Sequence, residues 1–191
     1  MNLDDFGIHE GISEVILSTL SEDFVPNAAP IGLHRKDWRL FAMIYNSTTL
    51  KNILVNPWAA ANIVDDPVIF VKSALSDLGV ENFENIDSFP VLKNSLGWVI
   101  FDCTSKKGEN ISIVEMTPVK GKIHHRVIKP VNRGFNAVIE ASIHATRFVG
   151  KKDQEYLRQI AYCNTMVKKC GGNQEKEAMK MLYELIGCKE I

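Results

Sequence analysis

The sequence predicts a mainly β fold of the α+β class, a small antiparallel barrel followed by a segment of three helices. Three observations carry this reading. Up to about residue 130, short apolar runs alternate with polar turns at strand-like spacing. One stretch in that half, Thr48–Leu54, has the pattern of a short helix. Beyond it the apolar period changes from 2 to 3.6 and stays there. Residues 1–130 are therefore read as the barrel and 131–191 as a helical segment packed on it or on a partner chain. With 46% apolar residues in 191, the chain can fill one core of this kind, whereas two separate small domains would be hard to stabilise.

Each element follows from local chemistry. Glu14–Leu20 and Asn27–Leu33 make a hairpin across a polar turn, and Trp38–Tyr45 follows the charged turn His34-Arg35-Lys36-Asp37. Ser47 is placed to cap the helix Thr48–Leu54, which Asn56-Pro57 stops. Trp58–Val64, rich in alanine, is a strand suited to close packing. Asp65-Asp66-Pro67 is turn chemistry opening an apolar segment, Val68–Leu75, whose type the pattern leaves open. Residues 76–96 keep no period, yet Phe83, Phe89 and Leu92 need burial, so an ordered lid or a dimer contact is expected. Gly97–Thr104, Ile111–Met116 and Val119–Arg126 complete the strands. Six or seven such strands suit a closed barrel better than a sandwich. In the last third, Ala137, Val138, Ala141, Ala145, Phe148 and Val149 form the apolar face of a helix ending at Gly150. Tyr156, Leu157, Ile160, Ala161 and Val167 form that of a second, broken by Gly171-Gly172. Asn173 caps a third, with Ala178, Leu182 and Leu185 inward and Gly187 closing it.

Composition narrows the partners. A net charge of −1 provides no broad positive field, which disfavours nucleic acid and anionic membrane surfaces. The N-terminus, Met1-Asn2-Leu3-Asp4-Asp5, is acidic and lacks a secretion-signal pattern, and no apolar run is long enough to span a bilayer, so a cytoplasmic setting is expected. The four cysteines are scattered without a Cys-x-x-Cys pair and read as packed thiols. No metal is expected: Glu140-x-x-x-His144 supplies only two ligands, and His124-His125 would point to opposite faces of a strand. No Gly-x-Gly-x-x-Gly follows a strand, so a resident nicotinamide domain is absent.

Two stretches carry chemistry. In Glu14–Gly32 an apolar strand turns into one built from small residues and prolines, a surface against which a flat ligand can lie close to backbone. Tyr45-Asn46-Ser47-Thr48-Thr49-Leu50-Lys51-Asn52 then opens a helix with consecutive hydroxyls, a natural phosphate seat, because unpaired N–H groups and the helix dipole favour an anion. Each stretch also has a plainer explanation, an ordinary hairpin and a helix cap needing only Ser47. Together with Asn62-Ile63-Val64-Asp65-Asp66-Pro67 and Asn132–Arg147, these residues resemble the FMN-binding split-barrel superfamily of flavin reductases and pyridoxamine-phosphate oxidases. More closely, they resemble an archaeal family of unknown function within it.

The resemblance implies a split barrel of Greek-key-like topology, a homodimer, and bound FMN. It places Asn27, Ala28, Ala29, Pro30 and Ile31 against the flavin ring, with Thr19 facing it from the neighbouring strand. Asn46, Ser47, Thr48, Thr49 and Asn52 fall at the phosphate; Arg35, Lys36 and Lys51 either add charge from nearby or belong to a solvated turn and helix face, the role each is expected to take. Glu140, His144 and Arg147 form one helical stripe, with Asn132 and Arg133 at the helix entry. That stripe is either a solvated face with a Glu140–His144 hydrogen bond or a set that reaches flavin or substrate across the dimer. The functional expectation is an oxidoreductase of flavin-reductase type acting on a small soluble substrate, with reduced nicotinamide as a transient visitor. A non-catalytic FMN holder and a deazaflavin enzyme are the alternatives, with heme or pyridoxal phosphate more distant.

Overall fold

The computed structural model describes residues 1–190. These form two compact units, one of Met1–Asp65 with Leu78–Val127, the other of Asp66–Asp77 with the chain from Ile128 onward. The first is a closed antiparallel barrel of six strands. In chain order these are β1 (Gly11–Leu20), β2 (Pro26–Lys36), β3 (Arg39–Tyr45), β4 (Trp58–Ile63), β7 (Gly97–Lys106) and β8 (Ile111–Ile123). Around the barrel the order is β1-β2-β3-β8-β7-β4, with helix α1 (Thr48–Val55) between β3 and β4 in sequence. Inward residues such as Val15, Leu17, Leu33, Ala42, Ile44, Val99, Phe101 and Val114 fill the interior. The run Ala59-Ala60-Ala61 is fully buried, as its small side chains suggested.

Pro118 does not divide β8 into two strands as expected. The β7–β8 pairing passes from Ile100↔Lys120 to Phe101↔Pro118, leaving Val119 without a counterpart. That bulge lets a residue without an N–H sit inside a long strand. Residues 76–96 are not a loop either. They contain a hairpin, β5 (Phe83–Ile86) and β6 (Phe89–Leu92), turning through Asp87 and Ser88 at φ 49° and 69°. A two-residue hairpin turn asks for positive φ, and glycine or asparagine usually supplies it. Here other residues do, which hid the turn from the sequence. Phe89 and Val91 cover Leu20, Ala60, Trp98 and Ile100 on the barrel's outer face, and Phe83, Phe89 and Leu92 are buried within the unit.

The ambiguous segment after Asp66 is helix α2 (Pro67–Leu75). Asp66 caps it by accepting from the N–H of Val68 at 2.8 Å, and Pro67 takes the first position, where no N–H is needed. It packs with α3 (Arg133–Lys151), α4 (Gln154–Cys170) and α5 (Asn173–Ile186) around Val71, Val138, Ala141, Ile160, Val167, Met179 and Leu182. Some boundaries differ from expectation. Helix α3 passes Gly150 and ends at Lys151, followed by Lys152 as a left-handed cap at φ 56°. Asn173 begins α5 while Gly172 precedes it, its N–H donating to Glu175 Oε2 at 2.8 Å. Leu185 and Val149, expected inward, are exposed, and Trp38 projects from the β2–β3 turn. No helix among the described residues is long and apolar enough to cross a membrane.

Candidate functional site: the seam between β2 and β3

Strand β2 has two different halves. From Leu33 to Lys36 it pairs with β3 (Leu33↔Ala42 to Lys36↔Arg39) on one side and with β1 on the other. Its earlier half, Pro26–Gly32, pairs with β1 alone. Beyond Ala42, β3 pairs only with β8, from Met43↔Ile113 to Tyr45↔Ile111. The two strands therefore part at Leu33 and Ala42, and the small-residue half of β2 presents an unpaired backbone edge. Pro30, which has no N–H for a ladder, is accommodated on an edge of this kind. The pleat divides the predicted ring contacts. Asn27, Ala29 and Ile31 share the inward face of Thr19, Leu17 and Val15 opposite them, while Ala28 and Pro30 point to the other face. A flat group could meet all five only along the strand edge.

Helix α1 closes the mouth of this seam. Its face of Thr49, Leu50, Asn52 and Ile53 is buried, with Leu50 and Ile53 in the barrel core. The two polar members tie it to the hairpin. Asn52 Nδ2 donates to Thr19 Oγ1 at 3.0 Å, and Asn27 Nδ2 donates to Thr49 Oγ1 at 3.3 Å. Thr19, Asn27, Thr49 and Asn52 thus come together as one polar joint, buried except at the half-buried Asn27. Ser47 is the cap, accepting the Leu50 N–H on Oγ at 3.4 Å and the Lys51 N–H on its carbonyl at 3.1 Å. The first two N–H groups of the helix, those of Thr48 and Thr49, remain outside these bonds, with the exposed Thr48 and Asn46 side chains beside them. Of the nearby cations, Arg35 is engaged, its Nη1 donating to Asp4 Oδ1 and to the Ile8 carbonyl, both at 2.7 Å. Arg35, then His9, hold the Asp4 carboxyl below its usual range. Lys36 and Lys51 are exposed.

Sequence reasoning missed where β2 and β3 part, because a period of 2 marks a strand without showing where its pairing stops. It also missed Phe24, a 78%-exposed aromatic at φ 60° beside the start of β2. A lone aromatic directly after the polar turn Ser21–Asp23 was the available signal.

The other predicted residues belong to the helical unit. Arg133, Glu140, His144 and Arg147 lie along α3 as one stripe, but no hydrogen bond joins Glu140 to His144. The His144 ring packs beside Tyr156 of α4, centroids 6.1 Å apart, and its buried Nδ1 has no partner among the described residues. Burial, and then Arg147, hold its pKa below the usual 6.5, against the opposing pull of Glu140. Arg133 reaches Met166 Sδ at 3.7 Å. His124 and His125 lie past the end of β8, both N–H groups donating to the Leu96 carbonyl, so they are not the two faces of a strand. Burial, with Asp102 adding, pushes the Cys103 thiol up to about 12, and burial also raises Cys163, so both are packed thiols with little thiolate character. Among the described residues no group of three His, Cys, Asp or Glu could hold a metal ion.

Family models for a protein of unknown function, DUF447, match residues 13–125 with their N-terminal domain and residues 132–184 with a second part. The chain belongs to the DUF447 family. A solved member, an FMN-bound protein from Methanosarcina mazei, is 41% identical over 96% of this chain and all of its own, with a TM-score of 0.91. A flavoredoxin from Methanosarcina acetivorans is 11% identical over 64% of this chain and 75% of its own (TM-score 0.51). A homolog of nitrilotriacetate monooxygenase component B from Mycobacterium thermoresistibile is 14% identical over 62% and 72% (TM-score 0.50). At these identities the last two speak for the barrel fold alone. The DUF447 match accords with the resemblance drawn from Glu14–Gly32, Ser47–Ile53 and Asn132–Arg147.

Proposed function

We propose that this DUF447 protein binds FMN along the seam. The observation that carries the reading is the parting of β2 from β3, which leaves the Pro26–Gly32 backbone edge open next to two uncommitted N–H groups at the start of α1. The edge suits the polar rim of a flavin ring, which needs backbone donors and acceptors at close range. The Thr48 and Thr49 N–H groups, with the Thr48 hydroxyl and the Asn46 amide, would hold the phosphate. Ser47, Thr49 Oγ1, Asn52, Thr19 and Asn27 hold the frame, a division of labour that spacing alone did not suggest. That the 41% identical Methanosarcina mazei protein is FMN-bound supports the same reading.

FMN, when bound, supplies two-electron redox chemistry, and the protein supplies orientation and exclusion of water. An oxidoreductase of flavin-reductase type, acting on a small soluble cytoplasmic substrate, fits a site that offers no acid–base pair. A homodimer belongs to the same reading, supported by Met43, Tyr45 and Ile113, exposed together on the outer face of β3 and β8. The test is purification without added flavin, a visible spectrum, and titration with FMN, riboflavin and a deazaflavin. FMN binding tighter than riboflavin is expected, and equal binding would remove the phosphate seat from α1. Anaerobic mixing with reduced nicotinamide then separates enzyme from holder: bleaching much faster than that of free FMN marks turnover.

A further inference from the structure

The turn that joins β1 to β2 holds an aromatic residue in a backbone conformation that bulky side chains avoid. Ser21 fixes this turn: its N–H donates to the Val25 carbonyl at 3.0 Å, its carbonyl accepts the Phe24 N–H at 3.1 Å, and its Oγ accepts the Val25 N–H at 3.0 Å. That is the pattern of a three-residue hairpin loop, Glu22 to Phe24, whose last position takes the left-handed region. Phe24 fills it at φ 60°. Glycine meets no steric penalty there and asparagine or aspartate little, whereas a bulky side chain is strained. The other non-glycine residues with positive φ among the described residues are Asp37, Asp87, Ser88 and Lys152, all polar.

Burial does not offset that strain, because Phe24 is 78% exposed. A phenyl ring left in water on a strained backbone is disfavoured on both counts, and strain of this kind gathers at ligand sites. The turn also has a defined place. The strands beside it close through Leu20↔Pro26 and Thr19↔Asn27. Asn52 of α1 donates to Thr19, and Asn27 donates to Thr49 of α1. The turn therefore stands next to α1, at the end of the seam where the open Pro26–Gly32 edge begins. A phenyl ring offers no hydrogen bond to a phosphate or a hydroxyl; what it recognises is a flat, apolar face.

We propose that Phe24 is a positioning residue of the seam, its ring packed on the flat face of the bound flavin and shielding it from water. This rests on the reading of the seam as the FMN site. The ligand then supplies the burial that the chain does not, and the tightly bonded turn holds the aromatic ready at the mouth before the ligand arrives.

Titration with FMN and riboflavin, and iodide quenching of the bound flavin's fluorescence, test this in wild type and in Phe24→Asn. Asparagine accepts the left-handed region, so the unliganded variant should melt no lower than wild type. Both flavins should bind about five-fold more weakly, since the ring and not the phosphate loses its contact, and iodide should quench the bound flavin more steeply. Phe24→Tyr keeps the aromatic face and should restore affinity and protection. Trp38→Ala, at the far turn of β2, should alter neither. Unchanged affinity and quenching in Phe24→Asn, or a lower melting temperature of its unliganded form, would overturn the proposal and leave the seam reading standing. A wild type that binds no flavin would overturn both.

Discussion

Two places on the barrel bury polar side chains, and they use them in opposite ways. Under the β5–β6 hairpin, Asn62 is fully committed. Its Nδ2 donates to the Ile16 carbonyl at 2.9 Å, to Ser18 Oγ at 3.1 Å and to the Ala60 carbonyl at 3.2 Å, and its Oδ1 accepts the Leu92 N–H at 2.8 Å. Ser18 Oγ adds a bond to the Pro90 carbonyl at 2.7 Å. At the seam, Thr19, Asn27, Thr49 and Asn52 tie helix to hairpin by single bonds, and the backbone around them keeps unspent groups. The difference separates glue from socket. A saturated polar cluster holds two elements together, whereas the seam leaves backbone donors to water or to the FMN proposed above.

Breaking the saturated corner should cost most. Asn62→Leu removes the acceptor of the buried Leu92 N–H and the donor to Ser18 Oγ, so stability in urea should fall by about 3 kcal/mol. At the seam, Thr48→Pro deletes one free N–H at a helix position that tolerates proline, and Ser47 already has the extended backbone that a following proline requires. Loss of that N–H together with the Thr48 hydroxyl, both contacts to a charged group, should weaken FMN by at least about 1.5 kcal/mol and leave riboflavin unchanged, both read by fluorescence titration. Thr49→Val keeps the shape but unties Asn27, and should cost about 1 kcal/mol in thermal unfolding. Equal costs at Asn62 and Thr49 would erase the contrast between the two places.

The smallest effect concerns a buried polar atom in the helical unit. Because His144 titrates lower folded than unfolded, the unfolded chain takes up its proton first as pH falls below 6.5. Its contribution is thus a loss of stability on acidification, from 6.5 down to the folded pKa, with no effect above. His144→Gln should flatten that part of the stability–pH curve without altering the plateau at higher pH. An unchanged slope would acquit His144.

The barrel and the three late helices were legible because periods of 2 and 3.6 are written in runs such as Glu14–Leu20 and Ala137–Phe148. The hairpin at Phe83–Leu92 was not. Asp87-Ser88 lacks the glycine that marks such a turn, and Pro90 interrupts the alternation. Helix α2 was ambiguous because nearly every residue from Val68 to Leu75 is apolar, which erases a period. At the candidate site, residue types drew attention to a stretch but not to the arrangement within it. Thr48 and Thr49 read alike in sequence. Only packing shows that one faces solvent while the other is bonded to Asn27. The parting at Leu33 and Ala42 is a relation between strands, and no single strand records it.

Helix α2 is threaded into the chain between two barrel strands, yet its apolar residues Val71, Val68 and Leu75 find their company among α3, α4 and α5. During synthesis it leaves the ribosome long before those companions exist, and must wait with its greasy side uncovered while β7 and β8 are still being made. The polypeptide also passes from one body to the other and back before finally leaving the barrel. A single cut therefore cannot yield two whole pieces: a fragment ending at Val127 would carry an orphaned helix, and the remainder would lack a wall.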